Sequence, residues 1–112
     1  YVADEHYLDM ATALSGSGPA YVFAFLESLI EAGVYMGMPR DMATTLAVQT
    51  VLGSAQLAKE TGENPALLRE RVTSPGGTTA EALRELESHG FRSTILEAVA
   101  AAYRKARELG GQ

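Results

Sequence analysis

Val72-Thr73-Ser74-Pro75-Gly76-Gly77-Thr78-Thr79-Ala80-Glu81 is the stretch on which the reading of this 112-residue chain turns. A helical pattern stops before it, two glycines follow a proline, and a new helical pattern opens behind them. Thr78 is a good N-cap and Glu81 stands three residues on, the spacing of a capping box, so Thr79 is expected as the first helical residue. The first turn of a helix carries N–H groups without partners, and the helix dipole adds partial positive charge there. Gly76 and Gly77 bring no side chains, so a ligand can come close to that backbone. The spacing describes a seat for a small carboxylate or phosphate with threonine hydroxyls beside it. A plain helix start after a tight turn accounts for the same residues and stays open at this point.

Outward from that stretch the pattern is helical almost throughout, with no sustained alternation of β-branched residues. A first helix is expected over residues 4–13. The run Ser15-Gly16-Ser17-Gly18-Pro19 reads as a loop, with Ser17 capping a second helix and Pro19 in its first turn. That helix runs to about Tyr35, where Gly37 and Pro39 break it. A third extends from about Pro39 to about Glu60 and stops at Thr61-Gly62. Asn64 and Pro65 are an N-cap and a first-turn proline for a short fourth helix over residues 65–71. The fifth covers residues 79–88 and ends on Gly90 in a left-handed conformation. The sixth covers residues 91–109, and the tail Gly110-Gly111-Gln112 is expected to fray. The chain opens on Tyr1, which suggests a processed product or an excised piece.

The second helix is apolar nearly all round, through Val22, Phe23, Phe25, Leu26, Leu29, Ile30 and Val34. Such a helix must be covered on every side. In the third, Ala43, Ala47, Val51, Ser54 and Ala58 form a stripe of small residues that lets another helix approach. Six helices of this length would struggle to cover both, so a second copy of the chain is expected to complete the core, and a compact monomeric bundle with the second helix at its centre is the alternative.

Conventional catalytic parts are scarce. Net charge is −5 and basic residues cluster only at Arg104, Lys105 and Arg107, which read as cations near a helix C-terminus, so nucleic acid is not an expected partner. No apolar run reaches the roughly 20 residues of a membrane span. There is no cysteine, and His6 and His89 have no second histidine at metal-binding spacing, so no metal site is expected. Glu27 and Glu31 lie one turn apart, as an acid–base pair or, more simply, as a polar stripe. Gly16-Ser17-Gly18 is not a dinucleotide fingerprint, because Tyr21 stands where a glycine belongs and no strand precedes it. Two glycine-rich helix entrances remain, suited to holding an anion while the chemistry comes from elsewhere.

Leu14-Ser15-Gly16-Ser17-Gly18-Pro19-Ala20-Tyr21 resembles the start of the C-terminal domain of the pyrroline-5-carboxylate reductases. Leu68, the run Val72 to Thr79, and Ala82, Leu83 and Glu87 resemble that family's signature, and Met36-Gly37-Met38-Pro39-Arg40 and Gly90-Phe91-Arg92 match it in place and spacing. The likeness extends over residues 11–109.

The resemblance implies an all-α fold, a bundle of about six helices interlocked as a dimer, like the C-terminal domain of 6-phosphogluconate dehydrogenase-like enzymes. It implies a cytoplasmic oxidoreductase of proline biosynthesis that reduces 1-pyrroline-5-carboxylate to L-proline with NADPH or NADH. Residues 1–112 would be the dimerisation and substrate-binding domain, active only with a Rossmann domain expected upstream, which would bind most of the cofactor. The homodimer is sometimes assembled further into a decamer. Val72, Ser74, Pro75, Gly76, Gly77, Thr78 and Thr79 would hold the substrate carboxylate, with backbone amides of about residues 77–79 as donors. The hydroxyl of Thr79 would face the ring nitrogen as the catalytic group. Thr78 stands where many relatives have Ala. Ser15, Gly16 and Ser17 are the candidate cofactor contacts within this chain. The alternative is a non-catalytic helical dimerisation module of another dehydrogenase-like protein, whose glycine-rich turns only cap helices.

Overall fold

The computed structural model describes residues 5–111. Six α-helices occur among them: α1 (Glu5–Ala11), α2 (Gly18–Tyr35), α3 (Arg40–Thr61), α4 (Pro65–Arg71), α5 (Thr78–Ser88) and α6 (Phe91–Leu109). The expected all-α class and the helix order hold. The expected first-helix start at Asp4 and the tail residue Gln112 lie outside the described residues. Gly110 and Gly111 are not frayed, since their N–H groups donate to the carbonyls of Ala106 and Glu108 at 3.0 and 3.1 Å.

The main departure lies between α1 and α2. The expected loop at residues 15–19 is instead a π-helical turn, Thr12–Gly16, that passes through the single bend of Ser17 into α2. The N–H of Ser17 reaches back five residues to the carbonyl of Thr12 at 2.8 Å. Hydroxyls brace the segment: Thr12 Oγ1 donates to Leu8 O at 3.0 Å and Ser15 Oγ to Ala11 O at 2.9 Å. Glycine and serine composition signals a break, yet the backbone stays helical in this wide form, and back-bonding hydroxyls of this kind are ones that bend a helix. Ser17 makes no side-chain capping bond among the described residues, while Pro19 sits in the first turn of α2 as expected.

Other helix ends follow the sequence. Gly37 has φ +106°, its N–H donates to Val34 O at 2.9 Å, and that of Met38 donates to Gly33 O at 3.0 Å. This paired closure is a Schellman motif. Gly62 closes α3 at φ +67°, and Gly90 separates α5 from α6 at φ +72°. Asn64 Oδ1 accepts from the N–H of Ala66 at 2.8 Å and caps α4, with Pro65 behind it. Of the three C-terminal cations only Arg107 lies in the last turn of α6, and its guanidinium sits 5.7 Å from the centre of the Tyr103 ring.

The chain divides into two compact units. One comprises the chain up to Val22 and from Glu85 onward, the other Phe23–Arg84. In the first, α1, the π-helical turn and α6 pack on one another around Ala13, which is 1% exposed. In the second, α2 and α3 meet at Gly33, Ala43 and Ala47, all buried. A Cβ on Gly33 would lie 2.9 Å from that of Ala43, so only glycine permits this approach. Glu31 and Arg40 pair at 2.9 Å beside it, which makes Glu31 an ion-pair partner, not half of a carboxylate pair with Glu27. The alanine stripe therefore works as expected at its N-terminal end.

Among the described residues, the buried hydrophobic side chains are alanines alone. Large apolar groups stay open in both units: Leu14 and Leu96 in the first, Phe23, Tyr35 and Met36 in the second. No helix among the described residues is long and apolar enough to cross a membrane.

Candidate functional site: the Ser74–Ala80 helix entrance

The second unit carries the stretch from Val72 to Ala80. Helix α4 ends where the N–H groups of Val72 and Thr73 turn back to the carbonyls of Arg69 and Glu70, at 3.3 and 3.1 Å. Thr73 Oγ1 also donates to Arg69 O, at 2.6 Å. The guanidinium of Arg71 forms a two-pronged ion pair with the Glu63 carboxylate, Nη2 to Oε1 at 3.0 Å. The hydrogen bond and the charge of Glu63 raise the Arg71 pKa. This clamp ties the two ends of the short helix together.

Ser74, Pro75, Gly76 and Gly77 then make a tight turn. The N–H of Gly77 donates to the carbonyl of Ser74 at 3.0 Å, and Gly76 has φ +72°. Proline at the second position and left-handed glycine at the third are the signature of a type II turn. A Cβ on Gly77 would fall 2.7 Å from Ser74 Oγ and 3.2 Å from Ser74 O. Each glycine thus has its own reason: Gly76 for its conformation, Gly77 for the closeness of Ser74.

Helix α5 opens one residue earlier than the capping-box spacing predicts. The N–H of Glu81 donates to Gly77 O at 3.2 Å, so Gly77 takes the capping position and Thr78 is already helical. The box does not form. The Glu81 carboxylate instead accepts from Arg84 Nη2 at 2.9 and 3.1 Å. The box needs the Glu81 N–H for the Thr78 hydroxyl and the Glu81 carboxylate for the Thr78 N–H, and here that N–H goes to Gly77 O and the carboxylate to Arg84. The unpaired amides shift by one residue as well. Gly77, an expected donor, is occupied. The N–H groups of Thr78, Thr79 and Ala80 have no backbone acceptor among the described residues. Ala80 is a donor that the sequence reading missed.

The threonine hydroxyls point to the same place. Thr12, Thr44, Thr45, Thr50, Thr61 and Thr73 all donate to the carbonyl four residues back. For Thr78 and Thr79 the carbonyls four residues back belong to the Ser74–Gly77 turn and not to a helix, and neither hydroxyl is engaged among the described residues. Thr79 is half-buried and Thr78 exposed. Glu81, the acidic residue in the first turn of α5, pairs with Arg84 and makes no bond to the Thr78, Thr79 or Ala80 N–H groups. The entrance can accept an anion on unpaired amides and offer a hydroxyl to a neighbouring polar atom. It contains no strong base. Among the described residues no cluster of acids and histidines could hold a metal ion.

Ser15, Gly16 and Ser17 belong to the other unit. Ser15 spends its proton on Ala11 O and keeps its lone pairs, and a Cβ on Gly18 would meet nothing within 4 Å. The segment thus has an open backbone edge and an acceptor hydroxyl, which suits a polar group such as a carboxamide. The described residues contain no strand–turn–helix unit of the kind that binds a dinucleotide.

Fold and site together define an all-helical domain with unpaired amides at the entrance of α5 and large apolar side chains left open. Residues 5–109 match the family model described as pyrroline-5-carboxylate reductase dimerisation, and the chain belongs to that family. It is 56% identical over 106 residues to the pyrroline-5-carboxylate reductase of Synechocystis, covering 95% of this chain and 40% of that protein. It is 46% identical over 108 residues to that of Escherichia coli, covering 96% and 40%. The structure of Plasmodium falciparum pyrroline carboxylate reductase with NADP bound superposes with a TM-score of 0.93 at 42% identity, covering 98% of this chain and 42% of that one. That of the Coxiella burnetii pyrroline-5-carboxylate reductase superposes at 0.92 and 45%, covering 96% and 40%. The chain spans about 40% of the length of the curated relatives it matches.

Proposed function

We propose that this chain is the dimer-forming, substrate-holding domain of a cytoplasmic pyrroline-5-carboxylate reductase, which makes L-proline. The observation that carries the reading is the set of unpaired amides at Thr78, Thr79 and Ala80 behind the Ser74–Gly77 turn, in a chain of this family. The substrate carboxylate accepts hydrogen bonds from these amides at the positive end of α5. The Thr79 hydroxyl, next to them and half-buried, bonds the ring nitrogen and sets the orientation of the imine. A nicotinamide cofactor, held mainly by a Rossmann domain, supplies the hydride that the imine carbon accepts while the nitrogen carries a proton. The chain's own contribution is orientation, because a protonated imine is already electrophilic and requires no strong acid.

A second copy covers the open apolar groups of both units. Leaving Phe23, Tyr35, Met36, Leu14 and Leu96 in water forgoes roughly 1.5–3 kcal/mol for each fully buried large side chain. Apolar surface of this extent is the mark of an interface.

In the complete enzyme, Thr79→Ala lowers kcat/KM by about tenfold or more, or about 1.4 kcal/mol of transition-state stabilisation. Thr79→Ser retains most of the activity. Unchanged kinetics in Thr79→Ala would remove this hydroxyl from the mechanism.

A further inference from the structure

We propose that Tyr21 is a positioning residue that locks the π-helical turn and thereby presents Ser15–Ser17 to the nicotinamide cofactor. The inference rests on the reductase reading and adds a residue to it. Tyr21 lies on α2, in the same compact unit as the turn.

A π-helical turn skips a carbonyl. The N–H of Ser17 would bond Ala13 O in a regular α-helix, but here it donates to Thr12 O, five residues back, at 2.8 Å. Ala13 is 1% exposed, so water does not reach it freely. A buried carbonyl without a partner is costly. The partner here is a side chain: Tyr21 Oη donates to Ala13 O at 2.8 Å, eight residues along the chain. The phenol takes the place of the missing amide, and it favours the wide turn over the regular one.

The wide turn matters for what it exposes. One extra residue per turn rotates every following side chain relative to an α-helical path. Ser15, Gly16 and Ser17 fall in this window, and their edge carries the acceptor lone pairs of Ser15 and an open backbone at Gly18. Wide turns of this kind recur at functional sites. Without the Tyr21 hydroxyl, the segment relaxes toward α-helical register and that edge turns away.

The test uses the complete reductase with the Tyr21→Phe substitution. NADPH affinity is read directly by nucleotide fluorescence, and the KM values for cofactor and pyrroline-5-carboxylate are read by turnover. The expected result is a fivefold or greater loss of NADPH affinity, with the KM for pyrroline-5-carboxylate within twofold of the parent. A lower melting temperature with unchanged NADPH affinity would show a merely structural hydroxyl and overturn the proposal. Equal losses for both ligands would overturn it as well. If Tyr21→Phe does not fold, Ser15→Ala decides, because it removes an exposed hydroxyl from the same turn. Weakened NADPH binding supports the proposal and unchanged binding overturns it. Failure of the parent protein to reduce pyrroline-5-carboxylate would instead refute the function proposed above, and the direct NADPH titration would still report on the turn.

Discussion

The N–H of Gly77 donates to the carbonyl of Ser74 at 3.0 Å, and this bond decides where the following helix begins. It occupies one amide of the helix entrance and leaves the next three, of Thr78, Thr79 and Ala80, without a backbone acceptor. Gly76 makes the bond attainable by adopting φ +72°. An alanine in that conformation costs about 1–2 kcal/mol. Gly76→Ala is therefore expected to loosen the turn and raise the KM for pyrroline-5-carboxylate severalfold while kcat changes little. In the proposed site the amides would hold a carboxylate that does not react, and so would bind ground and transition states alike. Gly76→Asn, which tolerates the left-handed region better, should fall between the two. Steady-state kinetics on the three proteins provide the check.

Gly33 offers a prediction about packing. Its absent side chain leaves 2.9 Å between an added Cβ and that of Ala43. Backbone and alanine methyl have little room to yield, so Gly33→Ala is expected to destabilise by about 1–3 kcal/mol, the usual range for overpacking. Urea denaturation should show a lower midpoint. A midpoint equal to the parent's would mean that α2 and α3 do not approach so closely.

Phe23 is 66% exposed on a helix with few polar positions. If a second copy covers it, Phe23→Asp places a charge in an apolar interface and should convert the dimer to monomers, or to aggregates, by sedimentation velocity. An unaltered dimer would place the interface on another face.

The Arg71–Glu63 clamp has a pH signature with a definite sign. Its guanidinium pKa is raised in the folded chain by the hydrogen bond and charge of Glu63. A raised pKa gives stability that is fully present below the unfolded value and lost only as pH rises through the folded one. The stability difference between the parent and Arg71→Gln should therefore be the same at pH 7 and pH 10. A difference that vanishes by pH 10 would contradict the pairing.

Much of this was legible in the sequence because helix ends carry their chemistry locally. Gly37, Gly62 and Gly90 stop helices through conformations that other residues rarely adopt, and Asn64-Pro65 starts one through its side-chain oxygen. The helix entrance with its unpaired amides was legible to within one residue. The one-residue shift at Thr78 comes from the Glu81 N–H, which bonds the Gly77 carbonyl rather than a Thr78 hydroxyl although the box spacing is correct. The π-helical turn was not legible. Gly16, Ser17 and Gly18 signal a break, and the partner that stabilises the wide turn, Tyr21, lies a full turn into the next helix. Tyr21 read as a mismatch to a dinucleotide fingerprint, whereas its hydroxyl was the informative group. The open apolar surface was legible from α2, whose apolar residues spread over most of its circumference.

The central claim is that the first amides of α5 grip the substrate carboxylate. A crystal structure of the complete enzyme with L-proline tests it directly. The account predicts carboxylate oxygens within hydrogen-bond distance of the Thr78 and Thr79 N–H groups, with the Thr79 hydroxyl on the ring nitrogen. A carboxylate bound elsewhere, with those amides bonded inside the protein, would contradict it.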